Sequence, residues 1–110
     1  MNPLVLKKCK PCEGNVQPLT GSELETYLAS VPEWNITDDG KSISREFGFP
    51  DFAKAMAFAN KVATIAQEEW HHPDMRVGWG RVSITLQTHA IKGLSENDFI
   101  VAAKVGELPQ

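Results

Sequence analysis

Apolar residues recur with helical spacing in the longest periodic segment of the chain, which follows Pro50 and Asp51. One face of this segment carries Phe52, Ala55, Ala59, Val62, Ala63 and Ala66, and Phe58 and Ile65 widen it. Such a stripe is typical of a helix with one buried face. The pattern predicts an amphipathic helix of about five turns. Pro73 limits it, because a residue that precedes proline avoids the helical conformation.

Capping residues predict two shorter helices. Ser22 has Glu three positions later, which is a capping box, and the apolar run behind it stops at Pro32. Near the end of the chain, Ser95 as N-cap and Asp98 at the N3 position repeat the pattern. The apolar residues that follow predict a last helix that ends near Gly106.

Two regions favour β-strands. Residues 34–37 and 41–47 are β-rich and flank a turn with Gly40, which predicts a hairpin. Residues 75–79 and 82–89 form a second pair. The last run alternates strictly, with Val82, Ile84 and Leu86 on one face and Ser83, Thr85, Gln87 and His89 on the other. This alternation places His89 on the polar face of a strand.

The order of these elements predicts an α+β fold in a single domain. Four strands with helices between them favour a four-stranded antiparallel sheet with helices packed on one face. Residues 1–19 contain prolines and a glycine without periodicity and predict an irregular N-terminal arm. The domain itself is expected over residues 20–110.

Composition and charge exclude several classes of function. The chain has 110 residues and a formal net charge of −3, so no basic face favours nucleic acid or a membrane surface. No apolar run approaches the roughly 20 residues of a membrane span. The N-terminus has no apolar segment before a cleavage site and does not resemble a signal peptide. We therefore expect a cytoplasmic protein.

Cys9 and Cys12 are the only cysteines, and their C-x-x-C spacing is shared by redox pairs and by half of a zinc site. A disulfide across so small a loop would stabilise little. No second pair of ligands follows, so a four-ligand zinc site cannot be assembled. Lys7, Lys8 and Lys10 would favour the thiolate. We expect a mobile arm without ligand chemistry.

The three histidines, His71, His72 and His89, are the strongest candidates for chemistry. Imidazole exchanges protons near neutral pH, which suits general acid and base catalysis. Their spacing is not that of a metal site, because none of the pairs is separated by three to five residues or lies four apart on a helix. No serine lies in a glycine-flanked elbow, and no glycine-rich phosphate loop is present.

Four separated motifs together resemble a known family. His71-His72-Pro73 is followed after five residues by Trp79, after nine more by His89, and after a further eight by Asp98. This signature resembles that of the pterin-4a-carbinolamine dehydratases. The resemblance extends from residues 18–20 to about residue 105.

The resemblance implies a hydro-lyase. Members of this family convert 4a-hydroxytetrahydrobiopterin to quinonoid dihydropterin and water, which recycles the tetrahydropterin of aromatic amino acid hydroxylases. They use no metal and no bound cofactor, and they form homodimers or homotetramers. Two alternatives stay open: a partner-binding module that serves as a dimerisation cofactor in transcription, and a dehydratase-like protein that acts on another pterin.

The resemblance also implies roles for individual residues. His71, His72 and His89 match the family's three active-site histidines and are expected to act as acid, base and substrate-orienting groups. Pro73 would fix the backbone of the histidine pair, and Trp79 would form a wall of the pocket.

Three further residues are expected near these histidines. Asp98 would orient His89 in addition to capping its helix. Gln67 stands where the family usually has an acidic residue, and an amide can form hydrogen bonds but cannot carry the charge. Glu69 falls on the apolar arc of the long helix and is expected to point inward, where it would substitute for the missing carboxylate.

Overall fold

The computed structural model describes residues 2–10 and 17–109 and confirms the α+β fold. The regular elements are a first 3₁₀ turn (Pro3–Leu6), α1 (Gly21–Ser30), β1 (Asn35–Ile36), β2 (Ile43–Gly48), α2 (Phe52–Glu69), β3 (Asp74–Gly78), β4 (Arg81–Leu86), a second 3₁₀ turn (His89–Ile91) and α3 (Glu96–Gly106). In the described part of the chain, no helix has the length and apolar character that crossing a membrane requires.

The four strands form one antiparallel sheet in the order β1-β2-β4-β3. α2 carries the chain from β2 across the sheet to β3, and a tight turn then returns β4 between them. The register places Phe47 opposite Val82 and Ile43 opposite Leu86, so large apolar side chains lie side by side on the inner face. These four side chains are buried, as the alternating pattern predicts.

The helices cover that inner face. α2 buries Ala55, Phe58, Ala59, Val62 and Ala66, whereas Phe52 and Ala63 of the predicted stripe are exposed. α3 is buried on nearly every side, because it contacts α2, α1 and the first 3₁₀ turn. Its Phe99 stacks on Tyr27 of α1 with ring centres 5.1 Å apart.

The helix ends follow local sequence with one correction. Asp51 caps α2 by accepting a hydrogen bond from the Lys54 N–H at 2.8 Å. Ser95 and Asp98 form the predicted capping box of α3. The prediction for α1 was wrong by one half turn, since Thr20 and not Ser22 occupies the N-cap, without a side-chain hydrogen bond.

The described part of the N-terminal arm packs against the rest of the domain, whereas the sequence led us to expect a mobile arm. Asn2 accepts a hydrogen bond from the Leu4 N–H at 3.0 Å, and Leu4 is 6% exposed in the main core. A turn of four residues is too short to give a periodic signal in the sequence. Cys12 lies outside the described residues. The boundary between arm and domain at residues 19 and 20 stays a prediction.

A buried ion pair ties the arm to two helices. Glu69 at the end of α2 accepts hydrogen bonds from the Cys9 N–H at 2.8 Å and from the Lys104 ammonium of α3 at 2.6 Å. Burial opposes ionisation of this carboxyl, but the two hydrogen bonds and the positive charge of Lys104 outweigh it and hold the pKa of Glu69 below its ordinary value. The arm, α2 and α3 therefore meet at one carboxylate.

Leu4→Ala is expected to lower the free energy of unfolding by about 2–3 kcal/mol, because it removes a buried side chain from a packed core. Leu6→Ala is the matched control, since Leu6 lies in the same turn but is 77% exposed. Its effect should stay within about 0.5 kcal/mol. Urea denaturation followed by circular dichroism measures both values, and equal effects would show that the arm does not pack as described.

Glu69→Gln is expected to cost about 2 kcal/mol at pH 7, because charge-assisted hydrogen bonds to a buried carboxylate are lost. A lowered pKa stabilises the fold fully at pH well above the ordinary glutamate value of about 4.3, and this stabilisation is lost as the pH falls through the folded-state pKa. The difference between the two proteins should therefore shrink on acidification. Urea denaturation from pH 7 to pH 4 tests this, with the exposed neighbour Glu68→Gln as control.

Candidate active site

The histidine pair follows a well-defined helix end. Trp70 adopts the left-handed conformation with φ 52°, and its N–H donates to the carbonyls of Ala66 and Gln67. The N–H of His71 donates to the carbonyl of Ala66 at 3.1 Å. These bonds form a Schellman motif, which turns the chain sharply away from the helix. Pro73 follows and restricts the backbone behind the pair.

His71 is held by a buried carboxylate. Its Nε2 lies 2.6 Å from Oδ1 of Asp98, and the exposed fractions of the two side chains are 12% and 0%. An Nε2–H that donates to the Asp98 carboxylate leaves Nδ1 as the acceptor nitrogen of this imidazole.

Asp98 therefore orients His71, and the expectation that it orients His89 was wrong. Its other oxygen, Oδ2, accepts hydrogen bonds from the Thr88 hydroxyl at 2.7 Å and from the Ser95 N–H at 3.0 Å. The capping bond from Ser95 points the carboxylate back along the start of α3, toward the end of α2. Among the described residues, no hydrogen bond joins Asp98 to His89.

His72 is exposed and is held by an amide. Its Nε2 lies 3.0 Å from Oε1 of Gln67, which is in the last turn of α2. The ring also meets the Trp70 ring edge to face, with centres 5.1 Å apart and planes at 76°. Gln67 thus supplies the hydrogen bond that an acidic residue would give to this imidazole, without a negative charge.

His89 does not belong to a strand, which corrects the prediction from alternation. β4 ends at Leu86, and His89 begins the second 3₁₀ turn with an exposed side chain. The N–H of Thr88 donates to the carbonyl of Gly93 at 2.9 Å and closes this turn. Buried and less buried side chains continue to alternate beyond the end of β4, as far as Thr88. The sequence pattern therefore predicted a strand longer than the observed one.

One cavity brings the three histidines together. Its volume is about 660 Å³, and it is lined by Cys9, Lys10, Glu68, Glu69, Trp70, His71, His72, Gln87, Thr88, His89, Ala90 and Asn97. Trp79 does not line it, which corrects the expectation of a pocket wall. That indole lies in the turn between β3 and β4 and is 72% exposed.

Glu69 faces inward as expected, but its carboxylate is already paired with Lys104. It lines the cavity without a hydrogen bond to a histidine among the described residues. The neighbouring thiol of Cys9 is not a thiolate, because burial and the nearby Glu69 carboxylate raise its pKa to about 12. The expected effect of the surrounding lysines on this thiol was wrong.

Sequence reasoning missed the contribution of the arm to this cavity. The backbone N–H of Lys10 donates to the side-chain oxygen of Asn97 at 3.0 Å, and the side-chain NH₂ of Asn97 donates to the backbone carbonyl of Lys10 at 2.6 Å. Thr88, which links Asp98 to the turn of His89, was also missed. Pairings between residues so distant in sequence leave no periodic or spacing signal.

Comparison with known proteins gives consistent matches over nearly the whole chain. The family model described as pterin 4 alpha carbinolamine dehydratase matches residues 17–108. A protein of Methylococcus capsulatus, provisionally named a pterin-4-alpha-carbinolamine dehydratase, is 48% identical over 105 residues, which cover 96% of this chain and 92% of that protein. A protein of Rubrobacter xylanophilus with the same provisional name is 46% identical and covers 98% of this chain and 100% of its own length.

Two solved structures share the fold. A protein from Brucella melitensis, described as a transcriptional coactivator/pterin dehydratase, has a TM-score of 0.77 at 34% identity and covers 82% of this chain and 96% of its own. A pterin dehydratase-like protein described as a RuBisCO assembly factor in the alpha-carboxysome has a TM-score of 0.58 at 27% identity. The match covers 66% of this chain and 84% of that protein. On the family match and the identity of its relatives, this chain belongs to the pterin 4 alpha carbinolamine dehydratase family.

Proposed function

We propose that this protein is a hydro-lyase that removes water from 4a-hydroxytetrahydropterins and releases quinonoid dihydropterin. The observation that carries the proposal is the meeting of His71, His72 and His89 at one cavity. Family membership supports the class of reaction. The proposal includes a cytoplasmic homodimer or homotetramer and a product that is reduced again for aromatic amino acid hydroxylases.

The reaction needs two proton transfers and no change of oxidation state. The bond between C4a and oxygen breaks, and the hydroxyl leaves as water after it receives a proton. The lone pair of N5 forms the new double bond to C4a, and the proton on N5 passes to a base. A positioned acid or base contributes a factor of about 10² to 10⁴ to such a step.

Two of the three imidazoles at the cavity are held by hydrogen bonds to protein side chains. His71 and His72 each direct Nε2 at an oxygen acceptor, which leaves Nδ1 as the nitrogen available for exchange with substrate. His89 is exposed and lines the cavity from the turn after β4. We assign the acid, base and orienting roles to this set of three, with Pro73 as a backbone restraint and Gln67 and Asp98 as the residues that orient the rings.

A neutral bicyclic substrate fits the electrostatics of the cavity. Glu69 and Lys104 neutralise each other in their ion pair, and the two exposed charged residues of the lining, Lys10 and Glu68, have opposite charges. The volume of about 660 Å³ falls within the range of small-molecule sites in proteins. This leaves room for a pterin that carries a side chain.

His72→Ala and His89→Ala are each expected to slow the dehydration by a factor of about 10² or more, because each removes a proton-transfer group from an exposed position. Both variants should fold normally, since neither side chain is buried. Stopped-flow spectroscopy of enzymatically generated 4a-hydroxytetrahydropterin measures the rate against the uncatalysed reaction. Lys61→Ala on the exposed face of α2 is the control.

Two results would contradict this proposal. Unchanged rates in both histidine variants would refute the site. No acceleration by the wild-type protein would refute the dehydratase and leave the partner-binding module as the better description.

Asp98→Asn is expected to lower kcat about tenfold or more and to reduce stability by about 1–3 kcal/mol. An amide offers one acceptor oxygen where Asp98 receives hydrogen bonds from His71, Thr88 and the Ser95 N–H. Ser95→Ala is the matched control, because it removes the Ser95 hydroxyl from the cap of α3 and from its hydrogen bond with Thr88, at a cost of about 1 kcal/mol, but leaves the carboxylate on His71. Equal losses of kcat in the two variants would show that Asp98 stabilises the fold and does not act through His71.

A further inference from the structure

Trp70 occupies a position that its side chain does not favour. Its φ of 52° lies in the left-handed region, where the residue after a helix is most often glycine. A bulky side chain at positive φ is rare because its Cβ crowds the neighbouring backbone. Glycine or asparagine would end α2 at this point with less strain.

Packing does not compensate for this conformation. The Trp70 indole is 74% exposed, whereas Trp34 is 4% exposed in the core. A large apolar surface left in water contributes little to folding. The fold therefore gives no reason for an indole at this position.

The indole lies at the candidate active site. Trp70 lines the cavity together with His71, His72 and His89. Its ring centre is 5.1 Å from that of His72, at an angle of 76° between the planes. Strained residues that persist without a benefit to packing are concentrated at ligand sites.

We propose that Trp70 is a substrate-binding residue whose indole packs against the fused ring of the pterin at the histidines. The inference rests on the proposed function, because it takes its ligand from that reaction. A pterin is flat and conjugated in its pyrimidine half, so it offers a face to an aromatic side chain. The left-handed backbone holds the indole beside the cavity, where a bound ligand would cover its exposed surface.

The contact acts on binding and not on proton transfer. Contacts of a flat heterocycle with an aromatic side chain contribute enough to change affinity by about tenfold. An interaction of equal strength in the ground state and the transition state raises KM when it is removed and leaves kcat unchanged. A residue that acted only by orienting His72 would lower kcat instead.

The test compares Trp70→Gly, Trp70→Phe and Trp79→Ala with the wild-type protein. Glycine suits the φ of 52° and should keep or raise stability. Trp79 is 72% exposed and lies outside the cavity, so its variant controls for loss of an exposed indole. Stopped-flow dehydration gives kcat and KM, and calorimetric titration with 7,8-dihydrobiopterin gives Kd without turnover.

Trp70→Gly is expected to raise KM and Kd about tenfold with kcat within about twofold. Trp70→Phe should restore most of the binding, and Trp79→Ala should change neither constant. Unchanged KM and Kd in Trp70→Gly would overturn the inference, as would a loss confined to kcat.

The same measurements separate this inference from the proposed function. A wild-type protein that binds 7,8-dihydrobiopterin through Trp70 but does not accelerate dehydration would overturn the function and support the inference. A protein that neither binds the pterin nor accelerates dehydration would overturn both.

Discussion

The buried carboxylate of Asp98 is the constraint on which the candidate site depends. A carboxylate removed from water is costly unless its oxygens are paired, and here three donors from three segments supply the pairing. They come from the end of α2, the turn after β4 and the start of α3. The same group that caps a helix therefore fixes the position of an imidazole, so stability and site geometry cannot be separated at this residue.

Constraint is unevenly distributed among the three histidines. His71 is nearly buried and bound to a charged oxygen, whereas His72 and His89 are exposed. Gln67 restrains His72 with a neutral partner, and the His89 side chain has no hydrogen bond within the described ranges. Among the described contacts, His71 is therefore the most constrained imidazole of the cavity and His89 the least.

The sequence predicted what local pattern controls. The hairpin around Gly40, the long helix and the capping box of α3 depend on neighbours within a few residues, and they appear as predicted. The partner of Asp98 could not be predicted, because it depends on how α3 packs against the end of α2. The turn that carries His89 and the docking of Leu4 likewise depend on tertiary contacts that leave no periodic signal. The predicted strands already placed Trp79 at the turn of its hairpin, and the expectation of a pocket wall came from the family resemblance alone.

The hairpin of β3 and β4 fixes where the two histidine segments leave the sheet. Its register pairs Asp74 with Thr85 at the base and Gly78 with Arg81 at the tip, so the two histidine segments leave from the same end. Insertions at the tip lengthen the ribbon without moving its base. A single insertion near the base shifts one strand against the other and reverses its faces. The meeting of the histidines at one cavity therefore depends on the register of this ladder as well as on the imidazoles themselves.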